Sequence, residues 1–149
     1  MAQHMPIDEE HFRRLERLYQ QAPINQFFQP TLRVSNGTAE LHIPVRPEFF
    51  HAAHAVHGSV YFKALDDAAF FAVNSLVPDV LVLTASYNIY LTRPVSDGTL
   101  RATGRVVHRS RTFFLAEAEL VDSHNRHLGR GSGSFVRSTI ALTGAVGYV

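Results

Sequence analysis

HAAHAVHGSVYFKALDDAAFFAVN, residues 51–74, is the stretch whose reading decides the fold. Its first part sets His51, His54 and His57 among small residues, and at Gly58 the pattern changes to that of a helix. Ala64, Ala68, Ala69 and Ala72 alternate there with large apolar residues, and no proline intervenes until Pro78. A helix apolar almost all round is a buried one. The spacing therefore predicts a long central helix over 58–76. Its polar residues, Ser59, Lys63, Asp66, Asp67 and Asn74, recur at helical spacing and predict a single polar stripe.

On the N-terminal side, Phe12, Leu15, Leu18 and Tyr19 recur at helical spacing over 7–21, with Asp8, Glu9 and Glu10 in the first turn, where the helix dipole favours acids. Pro23 closes this helix and 24–28 forms a further short apolar segment. Strands over 31–34 and 38–45 flank Ser35, Asn36 and Gly37, a hairpin turn. Residues 46–56 form a loop. Beyond the central helix, 81–93 alternates strictly: Thr84, Ser86, Asn88, Tyr90 and Thr92 fall on one face, and Ala85, Tyr87, Ile89 and Leu91 on the other. Strands over 99–108, 112–121 and 127–137 follow. The order of helix, two strands, long helix and four strands predicts an α+β fold in one domain over 1–149. Residues 1–29 are its helical extension and 139–149 a C-terminal tail.

Composition narrows the chemistry. The 149 residues include no Cys, which removes thiol nucleophiles, dithiol redox chemistry and zinc-thiolate sites. No basic leader precedes an apolar run and no stretch approaches a membrane span, so a soluble, cytoplasmic protein without a membrane partner is expected. The net charge of +1 hides an asymmetry: residues 101–149 carry seven Arg against three acids. Such arginines suit either a solvated sheet face or attraction of a phosphorylated ligand. They are dispersed at strand spacing with no nucleic-acid motif, which argues against a nucleic-acid partner.

Gly58 stands where loop becomes helix, so its amide is one of the first-turn donors that lack an intrahelical partner. Such an amide, backed by the helix dipole, stabilises an oxyanion, and glycine permits close approach. Asp66 and Asp67 lie inside the buried helix, where carboxylates must be paired, hydrogen bonded or shifted in pKa. One reading pairs them with Lys63, three and four residues earlier; the other uses at least one as a base or nucleophile. His51, His54 and His57 have no evident further ligand, so no metal is expected. His57 is placed to orient the turn that presents Gly58, and His51 to reach the site as donor or acceptor.

The segment HGSVYFKALDDAAFFAVN resembles the motif of hotdog-fold thioesterases of the phenylacetate-pathway type, within the 4-hydroxybenzoyl-CoA thioesterase superfamily. That motif is a His-Gly-Gly followed by a helix with an acid nine positions after the His, and counting from His57 lands on Asp66. The likeness continues through the strands to about residue 138. It implies a hotdog fold, a long helix wrapped by a curved antiparallel sheet of about six strands, and an acyl-CoA thioesterase needing no cofactor. Asp66 matches the catalytic carboxylate, Gly58 the amide that polarises the thioester carbonyl, and Thr84 a hydroxyl position on the following strand. Ser59 replaces the motif's second Gly, and His51 stands where the family has Asn.

Eight residues of helix separate Gly58 from Asp66 by about 12 Å, too far to serve one carbonyl within one chain. Two copies with antiparallel central helices would bring each Gly58 to the other's Asp66, so a homo-oligomer, a dimer or dimer of dimers, is expected. Ser59, Asp67, Ser86, Arg109 and Arg111 are candidates for contacts with substrate or coenzyme A, the two arginines for its phosphates. Phe49, Phe50, Phe70, Phe71 and Tyr87 are equally acyl-pocket lining or plain core. A noncatalytic acyl-CoA sensor and an acyl-thioester dehydratase or hydratase stay open as alternatives.

Overall fold

The computed structural model describes residues 7–149; the first six residues of the N-terminal extension lie outside the described residues. Helix α1 (Glu9–Gln21) starts under Asp8, whose side chain accepts the His11 amide, and buries Phe12, Leu15, Leu18 and Tyr19. Pro23, at the first position of α2 (Pro23–Phe28), lacks the amide that a continuing helix would need. Strands β1 (Thr31–Ser35) and β2 (Thr38–Pro44) form the expected hairpin, with Gly37 at φ 74° in its turn. The central helix α3 (Gly58–Asn74) follows the loop, then β3 (Val80–Leu91), β4 (Thr99–Arg109), β5 (Phe113–Val121) and β6 (His127–Ala141).

All six strands join one antiparallel sheet in the order β1-β2-β4-β5-β6-β3. Helix α3 lies on one face, burying Leu65, Ala68, Ala69 and Ala72 completely against Leu41, Leu100, Ala102, Ala116, Leu120 and Phe135. The alanines let the backbones approach: a Cβ added at Gly104 on β4 would lie 2.3 Å from the Ala68 carbonyl oxygen. The sheet curls around the helix only mildly and stays open, with β1 and β3 as its edges. No helix among the described residues is long and apolar enough to cross a membrane.

Two sequence expectations need correction. The polar residues of α3 do not form one stripe. Asn74 is fully buried and ties the helix end to β3: its Oδ1 accepts the Val82 amide at 3.0 Å, and its Nδ2 donates to the carbonyls of Val77 and Val80. Strand β3 does not alternate strictly either. Thr84 pairs with buried Phe135, Ser86 with Ser134 and Tyr87 with Gly133, so a bulge at Ala85 shifts the phase. Thr84 and Tyr87 consequently face the helix, whereas Ser86 lies on the outer face, its hydroxyl 2.6 Å from that of Ser134.

The last residues fold back onto α1. His11, 2% exposed, has Nε2 at 2.9 Å from the Asn74 carbonyl and Nδ1 at 2.8 Å from the Tyr148 hydroxyl. The ring donates to the first and accepts from the second, and burial pushes its pKa down, so it stays neutral.

Candidate active site

The loop before α3 is pinned at both ends. Phe50 bridges Val56, and the His57 amide donates to the Phe49 carbonyl at 2.8 Å. His57 then caps the helix: its Nδ1 accepts the Ser59 amide at 3.0 Å and lies 2.8 Å from the Ser59 hydroxyl. The Val60 amide goes to the His57 carbonyl. Among the described residues, that leaves Gly58 as the amide of this turn without a partner. It opens on a cleft of about 450 Å³ lined by His51, Val56, Tyr61, Leu91, Thr92 and Arg93. Even a Cβ at Gly58 would come within 3.0 Å of Leu91 Cδ1. His51 is on the wall of this cleft, its Nδ1 accepting the Ala53 amide.

Two turns along α3 the adjacent carboxylates part company. Asp67 turns toward α1, where Oδ2 accepts both the Tyr19 hydroxyl at 2.5 Å and the Lys63 ammonium at 2.8 Å. Lys63 also sits over the rings of Tyr19 and Phe28 at 5.3 and 5.1 Å. Asp66 instead turns toward β3 and, among the described residues, has one bond, accepted by Oδ1 from the Thr84 hydroxyl at 2.9 Å. Its pKa is pushed up to about 6, first by burial and further by the Asp67 charge, while Thr84 and Lys63 oppose the rise. One carboxylate is thus committed to structure and the other is left half-satisfied and proton-hungry. Tyr19, on the preceding helix, is the residue that sequence reasoning missed; only its place in the α1 apolar pattern marked it.

Residues 53–128, just over half of the chain, match the thioesterase superfamily. The chain belongs to that superfamily. That membership makes it a hydrolase. Its fold is similar to that of Escherichia coli PaaI, from the phenylacetic acid degradation operon: TM-score 0.83 at 18% identity, covering 93% of this chain and all of that one. Protein PA5202 of Pseudomonas aeruginosa superposes at 0.77 with 23% identity, over 82% of this chain and 98% of its own. The Haemophilus influenzae thioesterase HI1161 does so at 0.75 with 14% identity, over 84% and 88%. These likenesses establish the hotdog fold.

In this superfamily member the remaining candidates are spread widely. Arg109 ends β4 and Arg111 lies in the exposed turn after it. Arg109 stands in the sheet row Arg109–Phe114–Phe135–Thr84, three strand spacings or about 14 Å from Thr84. Gly58 and Asp66 are not brought together: the cleft at Gly58 has Leu91 and Thr92 in its walls, at the opposite end of β3 from Thr84.

Proposed function

We propose that the protein hydrolyses acyl-CoA thioesters in a symmetric dimer, each carbonyl being served by Gly58 of one subunit and Asp66 of the other. The observation that carries this reading is the Asp66 carboxylate, half-buried, held among the described residues by Thr84 alone and poised near neutrality, where a general base is most effective. The Gly58 amide and the α3 dipole stabilise the oxyanion. Asp66 takes a proton from water as the water oxygen bonds to the carbonyl carbon, or attacks that carbon itself to give an acyl anhydride that water then hydrolyses to the free acid and the carboxylate. The C–S bond then breaks, and the thiolate of coenzyme A leaves and is protonated.

The edge strand supports the shared site. β3 runs antiparallel to α3, with Leu91 beside Gly58 and Val82 beside Asn74. It leaves Leu83, Tyr90 and Leu91 about half exposed or more, and Phe62 on α3 40% exposed. A twelve-residue unpaired edge with such side chains calls for a partner. Two-fold pairing of β3 with its copy sets the helices antiparallel, which moves each Gly58 toward the other subunit's Asp66. Arg109 and Arg111 serve the nucleotide phosphates, at a distance the extended pantetheine arm spans.

Thiol release from a panel of acyl-CoAs tests the activity. Asp66→Asn lowers kcat by at least about a hundredfold with the fold retained, and Asp67→Asn by less. Mixing Asp66→Asn subunits with Gly58→Pro subunits, which lack the amide donor, restores activity in mixed dimers because one of the two sites is intact. Verified mixed dimers that stay inactive, or a fully active monomer, refute the shared site.

A further inference from the structure

The bulge at Ala85 turns Tyr87 inward, one inward position beyond Thr84. Its ring lies across Gly133 and Gly131 of β6, where an added Cβ would stand 2.3 Å from ring carbons in both cases. The sequence Gly131-Ser132-Gly133 is therefore a groove that seats this ring. Above it, Phe62 meets the ring edge-on at 5.8 Å and 88°, one helical turn before Asp66, and Phe135 lies 6.4 Å away. The hydroxyl end rests at Gly131. It is buried and, among the described residues, has no hydrogen-bond partner. A buried hydroxyl without a partner is costly, and a native structure that keeps one has a use for it.

Its surroundings identify the use. Phe62, Phe135 and the two glycines present carbon, an environment suited to an acyl chain and unsuited to the amides of pantetheine or to phosphates. Burial, and then the Asp66 charge, push the hydroxyl's pKa up, so it remains a protonated donor. We propose that Tyr87 is a specificity-determining residue of the acyl subsite, donating a hydrogen bond to an oxygen on the acyl chain and so selecting keto- or hydroxy-substituted acyl groups over plain ones. The proposal rests on Asp66 as the group that meets the thioester, since that places the acyl chain beneath this turn of α3.

The test separates binding from turnover by using coenzyme A thioethers, which cannot be hydrolysed. A series of S-alkyl-CoA ligands of equal length, plain or with a keto oxygen at successive carbons, is titrated calorimetrically against wild type and Tyr87→Phe. At one position of the oxygen the wild type binds at least about tenfold tighter than it binds the plain ligand, and Tyr87→Phe erases that preference while leaving the plain ligand within about threefold. The melting temperature of Tyr87→Phe is equal to or above that of the wild type, because no protein–protein hydrogen bond is lost. Wild type showing no preference at any position, equal loss on all ligands, no binding of any ligand, or a lower melting temperature in Tyr87→Phe overturns the proposal. Discrimination that persists in a protein inactive on every thioester would leave the subsite standing and refute the catalytic reading instead.

Discussion

Asp66 should cost the fold stability at neutral and higher pH. An ordinary Asp carboxyl titrates near 3.8, and burial lifts this one to about 6. The folded state therefore holds the Asp66 proton more tightly than the unfolded chain does. Below pH 3.8 both states are protonated and stability is undiminished; between 3.8 and 6 it falls, and above 6 the loss is complete. The separation corresponds to about 3 kcal/mol at pH 8. Asp66→Asn removes the charge and keeps an oxygen that accepts the Thr84 hydroxyl, so it recovers much of that amount. For a chain of this length the gain is on the order of 5–10 °C in melting temperature at pH 8, shrinking toward zero at pH 4. Scanning calorimetry of both proteins across that range measures it. A variant less stable than wild type at pH 8, or a difference that does not vary with pH, would show that the carboxylate is satisfied in the native state. The notion of a poised base would then fail.

The acid limb of kcat/KM should report the same group, falling below about pH 6 in the wild type. Asp67→Asn moves that limb to lower pH because the Asp67 charge helps hold the Asp66 proton, and Lys63→Met moves it higher because a nearby positive charge is lost. Stopped-flow thiol release across pH 4.5–8 reads both shifts, and parallel shifts in the same direction would contradict the arrangement. Gly104→Ala drives a Cβ into the Ala68 backbone and should destabilise by about 3 kcal/mol or more in urea unfolding. An Ala variant of near-native stability would mean that α3 does not rest on β4 as closely as described.

Most of the architecture was legible because it rests on period and punctuation. Pro23, the Ser35-Asn36-Gly37 turn, the alanine-rich run after Gly58 and the turns between strands mark elements whose observed bounds differ from expectation by a few residues. Gly58 and Asp66 were singled out by spacing and by the motif they resemble, and the structure places the first at the start of α3 and the second two turns along it. The rest depended on registers that no local pattern encodes. The bulge at Ala85 sits inside an alternating sequence that gives no sign of it, and it separates Ser86 from Thr84. The glycines at 131 and 133 are its distant counterpart, readable only once β6 is known to lie beside β3. Asn74 looked like part of a polar stripe because helical spacing fixes direction around α3 but not what lies there, and a strand terminus needing three hydrogen bonds lay there.

The pair Asp66-Asp67 shows why composition could not choose between structure and catalysis. Adjacent residues on a helix point about 100° apart, so in a helix packed on two sides they meet different neighbours. Tyr19, delivered by α1, and Lys63, one turn back, converge on Asp67, the first with a hydrogen bond and the second with the opposite charge. The Asp67 charge still adds to the desolvation that lifts Asp66, and Lys63 works against it. With Thr84 and Lys63 opposing the rise, Asp66 stops near pH 6, where it is ionised at neutrality yet retains affinity for a proton. The N-terminal extension thus bears on the surroundings of Asp66: α1 reaches that carboxylate through its neighbour. Asp67 has the structural pairing that one reading expected and Asp66 does not, and the direction in which each side chain leaves the helix sets that difference.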